Sequence, residues 1–209
     1  MNRVIFLVDG FNLYHSCKDI SRFSGLRVKW LDIRSLCCSY LPLISRDARL
    51  ERIYYFTAFA FHLNDPSVIQ RHQGYMKCLQ ETGIIPELGR FKPKDIDCPH
   101  CNKRIIRHEE KETDVAIAMK LSEILISNKC DTVVLVTGDT DLTPAIKTTK
   151  RLFPDKAIIF AFPYRRSNAE LAQIAPGSFK IHKGSYVRHQ FPGLVVLRNG
   201  TYVEKPDSW

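Results

Sequence analysis

Hydrophobic residues fall into two recurring patterns along this chain. Short apolar runs rich in β-branched and aromatic side chains alternate with longer stretches of helical spacing, the pattern of an α/β domain with a mostly parallel sheet. Five runs predict strands: Arg3 to Val8, Arg52 to Ala60, Ile84 to Arg90, Thr132 to Thr137 and Ala157 to Phe162. Between them, Asp32 to Leu41 reads as a helix capped by its aspartate. Pro66 to Thr82 reads as another, with Asp65 as cap, Pro66 at the first helical position and Gly83 just past the end. A third runs from about Thr113 to Ser127, where Val115, Ala118, Met119, Ser122 and Leu125 recur near the helical period. Leu142 to Leu152 is a fourth and Asn168 to Ile174 a short fifth.

Two segments break this rhythm. Residues 91–111 are polar and charged, carry Cys98-Pro99-His100-Cys101, and form too long a connection for a simple turn. The tail from Ser185 holds two apolar runs, Leu194 to Arg198 and Thr201 to Glu204, around Asn199-Gly200. That dipeptide predicts a terminal β-hairpin on a type I′ turn, whose two central residues need positive φ.

At 209 residues the chain has the length of one domain with room for a small appendage. Its 44% hydrophobic and 25% charged content are ordinary for a soluble globular protein. The net charge of +9 attracts polyanions; a basic surface also aids solubility, so the charge gains meaning only beside a site for phosphate chemistry. The amino terminus runs straight into the first strand without signal features. No apolar segment approaches a membrane span. Seven scattered cysteines argue for reduced thiols, with Cys37-Cys38 in a helix core. A cytoplasmic protein that makes no membrane contact is expected, and homo-oligomerisation stays open.

Four acids sit where a strand ends or a helix begins. Asp9 follows Val4 to Val8, with Gly10 to permit a tight turn and Asn12 placed to orient Asp9 or a water; an aspartate there also serves as a helix cap. Asp139 and Asp141 lie two apart after Thr132 to Gly138, each next to a threonine. These are hard oxygen donors of the kind Mg²⁺ and Mn²⁺ prefer; Asp141 immediately precedes a helix, so part of its expected role is to cap it, whereas Asp139 has no evident capping role. Glu109, Glu110 and Glu112 suit the positive end of a helix dipole. Asp114 instead leads the apolar face of its helix and needs partners if buried. Ligands of open α/β sheets bind at the carboxyl edge of the strands. Two carboxylates about 5 Å apart there would repel by roughly 3 kcal/mol at an effective dielectric near 20, which a divalent cation would relieve.

On Val8 to Tyr14, Glu110 to Val115 and Thr137 to Leu142, in that order, the chain resembles the NYN domains of the LabA-like group, relatives of the PIN nucleases. The resemblance spans roughly residues 1–182, with 91–111 as an inserted loop and 183–209 as a tail. It implies a three-layer α/β/α PIN-like, Rossmannoid fold with a five-stranded, mostly parallel sheet. It also implies a divalent-metal site of Asp9, Asp114, Asp139 and Asp141, with Asn12 as accessory, and the cutting of RNA more readily than DNA.

The chemistry that follows is Mg²⁺- or Mn²⁺-assisted phosphodiester hydrolysis. A basic rim of Arg90, Lys92, Lys94, Arg104, Arg107 and Lys111, with Arg165 and Arg166 after the fifth strand, would hold the RNA strand, although each of these is individually also a plausible solvated surface residue. Tyr164 beside the two arginines adds a stacking face. Cys98 and Cys101 form half of a zinc knuckle that His108 or His100 could extend into a structural Zn²⁺ site; two free thiols in a loop are the alternative. His62, His72 and His100 lie among polar residues and are expected to face solvent.

A haloacid-dehalogenase-like phosphatase would need a second aspartate where Phe11 stands. No phosphate-loop sequence occurs. A non-catalytic RNA-binding or regulatory protein that keeps the acids is the alternative outside enzymology.

Overall fold

Alternation along one strand divides the interior in two. The computed structural model of the chain describes residues 1–97, 101 and 103–209. In chain order its strands are β1 (Asn2–Asp9), β2 (Ala48–Thr57), β3 (Ile85–Leu88), β4 (Arg90–Asp97) and β5 (Arg104–Lys111), then β6 (Thr132–Val136), β7 (Ala157–Phe162), β8 (Gly177–Lys180), β9 (Leu194–Val196) and β10 (Tyr202–Glu204). The helices are α1 (Gly10–Ser24), α2 (Ile33–Ser39), α3 (Leu41–Ile44), α4 (Pro66–Glu81), α5 (Thr113–Ile126), α6 (Thr143–Leu152), α7 (Ala169–Ile174) and α8 (Lys183–Arg188).

Six strands form one sheet in the order β3-β2-β1-β6-β7-β8, and every neighbouring pair is parallel. Val4, Phe6 and Val8 of β1 face a core shared with Leu13, Ile20, Trp30 and Leu79. Ile5 and Leu7 face the opposite core, with Ile117, Leu121, Ile146 and Phe160. Burial of each such side chain contributes about 1.5–3 kcal/mol, so both faces of β1 hold helices and the architecture is α/β/α. Among the described residues no helix is long and apolar enough to cross a membrane.

The sheet has one strand more than the five expected. The sixth, β8, is a short edge strand of alternating burial with no apolar run to announce it. The segment 91–111, expected as a loop, is instead most of an antiparallel ribbon in which Arg90 pairs with Lys111 and Asp97 with Arg104. Its strands are charged because they stand clear of both cores.

The helix caps follow the chemistry of their residues. Asp32 accepts from Ser35 N–H, and Asp65 from Ser67 and Val68 N–H. On α5 the apolar spacing misleads: Val115 and Met119 are 67% and 65% exposed, and the buried face is Ile117, Leu121 and Ile124. Asp114 precedes Ile117 by three residues, so it still heads the inward face.

The terminal hairpin forms, with Tyr202 opposite Val196. Its turn is not type I′, because Gly200 alone of the central pair has positive φ. Gly200 N–H donates to Leu197 O, and the Asn199 side chain accepts from Thr201. Val195 and Val203 pack on the core that contains α4.

Candidate active site

The chain reverses direction across the sheet at β1, with β2 on one side and β6 on the other. Asp9 ends β1 and Thr137 follows β6, so both stand at the switch point where open α/β sheets bind ligands. Asp9 is 3% exposed. Its Oδ1 accepts from Asn12 N–H at 3.0 Å, capping α1, while Oδ2 accepts from Asn12 Nδ2 at 2.7 Å and Thr137 Oγ1 at 2.8 Å. Asn12 Oδ1 in turn accepts from Gly138 N–H at 3.2 Å. Asn12 therefore orients Asp9 and ties α1 to the turn after β6.

Gly10 and Gly138 are required here for close approach rather than for positive φ. A Cβ on Gly10 would lie 2.5 Å from Phe56 O, and one on Gly138 would lie 1.9 Å from Arg166 O.

Asp139 caps the 3₁₀ turn Thr140–Leu142, accepting from Asp141 N–H at 3.0 Å. Asp141 is exposed, and its side chain does not cap α6. The capping role expected of Asp141 thus falls to Asp139. Asp114 lies in the first turn of α5. Its carboxyl is pushed up to about 6, first by burial and then by the charges of Asp139, Asp9, Glu110 and Asp141. Burial likewise pushes Asp9 up, against the pull of its bonds to Asn12 and Thr137. Acids from β1, α5 and the turn after β6 therefore share one electrostatic field.

Thr137 and Glu110 belong to this site as well. Glu110 accepts from Thr113 N–H and from the Thr113 hydroxyl, closing the start of α5. Glu112 pairs with Arg90 and Glu109 with Lys94 and Lys111, so these acids serve the ribbon rather than the helix dipole.

Among the described residues no three His, Cys, Asp or Glu side chains are gathered as a metal-holding group. The donor chemistry of the acid crevice nonetheless suits a hard divalent ion: all of its donors are oxygens, and the raised Asp114 carboxyl reports crowded negative charge. The CxxC segment fares differently. Cys98 lies outside the described residues. Cys101 is exposed in the turn, whereas His108 lies in β5 opposite Pro93, stacked at 4.4 Å on His62. His108 lies four strand residues beyond Arg104, about 13 Å along β5.

The basic rim divides in two. Arg104 reaches Asp95 and Asp97 only at 4.0 Å, and Lys92 and Arg107 form no ion pair among the described residues. Arg166 is held by Asp19 at 2.7 Å, and Arg165 lies 4.1 Å over the Phe23 ring. His62 and His72 do not face open solvent as expected; both line a cavity beside the crevice, and burial pulls His72 down to about 4.

A parallel α/β/α domain with acids at its switch point is the architecture of a PIN-like domain. Residues 3–180 match the NYN domain model, and the chain belongs to the NYN domain family, a family of nuclease and hydrolase character. It is 27% identical over 242 aligned residues to 6-hydroxy-3-succinoylpyridine 3-monooxygenase HspA of Pseudomonas putida (strain DSM 28022 / S16), covering 99% of this chain and 75% of that protein. The fold is also similar to the crystal structure of VPA0982, a protein of unknown function from Vibrio parahaemolyticus. That likeness has a TM-score of 0.56 and 19% identity, and covers 87% of this chain and 94% of the other.

Proposed function

We propose that this protein is a divalent-metal-dependent nuclease of the LabA-like group that hydrolyses RNA phosphodiester bonds at the acid crevice. The observation that carries the reading is the joining of Asp9 and Asp139 through the Thr137 hydroxyl at the switch point of the sheet, with Asp114 in the first turn of α5. Asp9, Asp114, Asp139 and Asp141 would hold Mg²⁺ or Mn²⁺. The chemistry supplied by such an ion is Lewis acidity toward water and the phosphate oxygens. Asn12 and Thr137 fix the Asp9 carboxylate, so that it presents one orientation. The ribbon, with Lys92, Arg104 and Arg107, is the surface on which the RNA backbone would lie. The test is cleavage of a mixed pool of labelled RNAs in Mn²⁺ or Mg²⁺, with a chelator control and Asp139→Ala protein alongside. Cleavage abolished in the variant supports the reading. Equal cleavage by both proteins, or RNA bound without cleavage, sinks it; the second result favours the non-catalytic binder.

A second reading draws on the similarity to the monooxygenase along 99% of this chain: oxygenation of a small heteroaromatic acid. Incubation with 6-hydroxy-3-succinoylpyridine, dioxygen and reduced nicotinamide tests it, and an unchanged acid counts against it.

A further inference from the structure

A cavity of about 740 Å³ opens beside the acid crevice, between α1, the end of β2, α4 and the base of the ribbon. That size suits a small molecule. Its walls are largely aromatic: Phe11 meets Phe91 edge to face at 5.7 Å, His62 lies 4.5 Å from Phe91, and Tyr14, Tyr75 and Trp209 add further ring faces.

Two cations, Lys29 and Arg71, line the same space. Lys29 Nζ stands 5.5 Å from the Tyr14 ring centroid, and Arg71 donates to Ser67 Oγ at 2.9 Å. Among the described residues neither forms an ion pair. Burial pulls the Lys29 ammonium down, and the charges of Lys18 and Arg71 add to that effect. The wall histidines contribute little charge at neutral pH, since burial lowers His15, His62 and His72 alike. Glu110 supplies a carboxylate to the wall, but Thr113 occupies its Oε1. His62 Nδ1 is buried with no hydrogen-bond partner among the described residues. Arg71 also feels the Asp65 carboxylate through Ser67, yet neither cation is in a direct ion pair among the described residues, and an aromatic enclosure with two such cations is complementary to a flat ring that carries an anionic arm.

We infer that this cavity binds a small planar aromatic acid, with its ring among the aromatic walls and its carboxylate on Lys29 and Arg71. The inference rests on the second reading above and names the recognition residues that reading lacks. A nucleobase fits less well, because a neutral base leaves both cations without a partner.

The test is calorimetric binding of nicotinate and 3-phenylpropionate to the full chain, each against its amide. The acids are expected to bind at least ten-fold more tightly than the amides. Arg71→Met and Lys29→Met are each expected to weaken the acids ten-fold or more and leave the amides unchanged. Equal affinity for acid and amide, or acid binding that neither variant alters, would overturn the inference. So would tighter binding of uridine 5′-monophosphate than of either acid, which would make the cavity a nucleotide site. Binding as expected without oxygenation would sink the second reading alone.

Discussion

Thr137 donates its hydroxyl proton to Asp9 Oδ2 across 2.8 Å, and Thr137 Oγ1 itself accepts from Asp139 N–H at 3.1 Å. One buried hydroxyl thus couples the acid that ends β1 to the acid that follows β6. Thr137→Val keeps the shape and loses both bonds, leaving a backbone N–H and a carboxylate oxygen short of partners. A loss of about 1–3 kcal/mol is expected, with Thr137→Ser recovering most of it. Urea unfolding of the three proteins measures this; a Val variant as stable as the parent would contradict it.

Asp139 has two separable roles, as a turn cap and as a charge. Asp139→Ala should cost about 1 kcal/mol through the lost cap and abolish RNA cleavage. Asp139→Asn keeps a capping oxygen, so it should remain nearer to parental stability and be equally inactive. Thermal melts beside the cleavage assay separate the roles, and an active Asn variant would remove Asp139 from the proposed ion-holding set.

The raised Asp114 carboxyl gives stability a pH dependence of defined sign. Its folded value is about 6 and an unfolded aspartate titrates near 3.9, so the folded state binds the proton more tightly. The contribution is fully present below about pH 4 and is lost as pH rises through 6. In chelator-treated protein, the urea midpoint of the parent should fall relative to Asp114→Asn between pH 4 and pH 7. Parallel curves for the two proteins would show that Asp114 does not titrate in this window.

Gly138 leaves no room for a methyl group, since the added carbon would meet the Arg166 carbonyl at 1.9 Å. Gly138→Ala is expected to cost about 1–3 kcal/mol by overpacking, roughly 3–10 °C in Tm at this chain length. Gly184, on α8, has open space around it, and Gly184→Ala should be neutral or slightly stabilising. Melting curves that rank the two variants the other way would contradict the close approach.

Continuous apolar runs made β1, β2, β6 and β7 readable, because strands covered on both faces cannot hide their hydrophobicity. Strand β8 and the ribbon carry no such run: one is a short edge and the other is solvated. Val115 and Met119 misplaced the face of α5 because spacing records that residues are apolar, not that they are covered. Among site residues, Asp9, Asp114, Asp139 and Asn12 stood out through their positions at element ends. Thr137 reads in sequence only as the end of an apolar run, since its bond to Asp9 spans 128 residues of sequence. The cavity left no trace, because its walls come from segments as distant as Phe11, Arg71 and Trp209.

The β4–β5 ribbon pairs with itself and with no strand of the main sheet. Its length and charge can therefore change without shifting the register of the six strands, the first of which ends in Asp9. Changes that would ruin β1 are tolerable on this arm outward of Phe91 and Glu110 at its base, which leaves its outer part free to meet different partners while the fold is preserved.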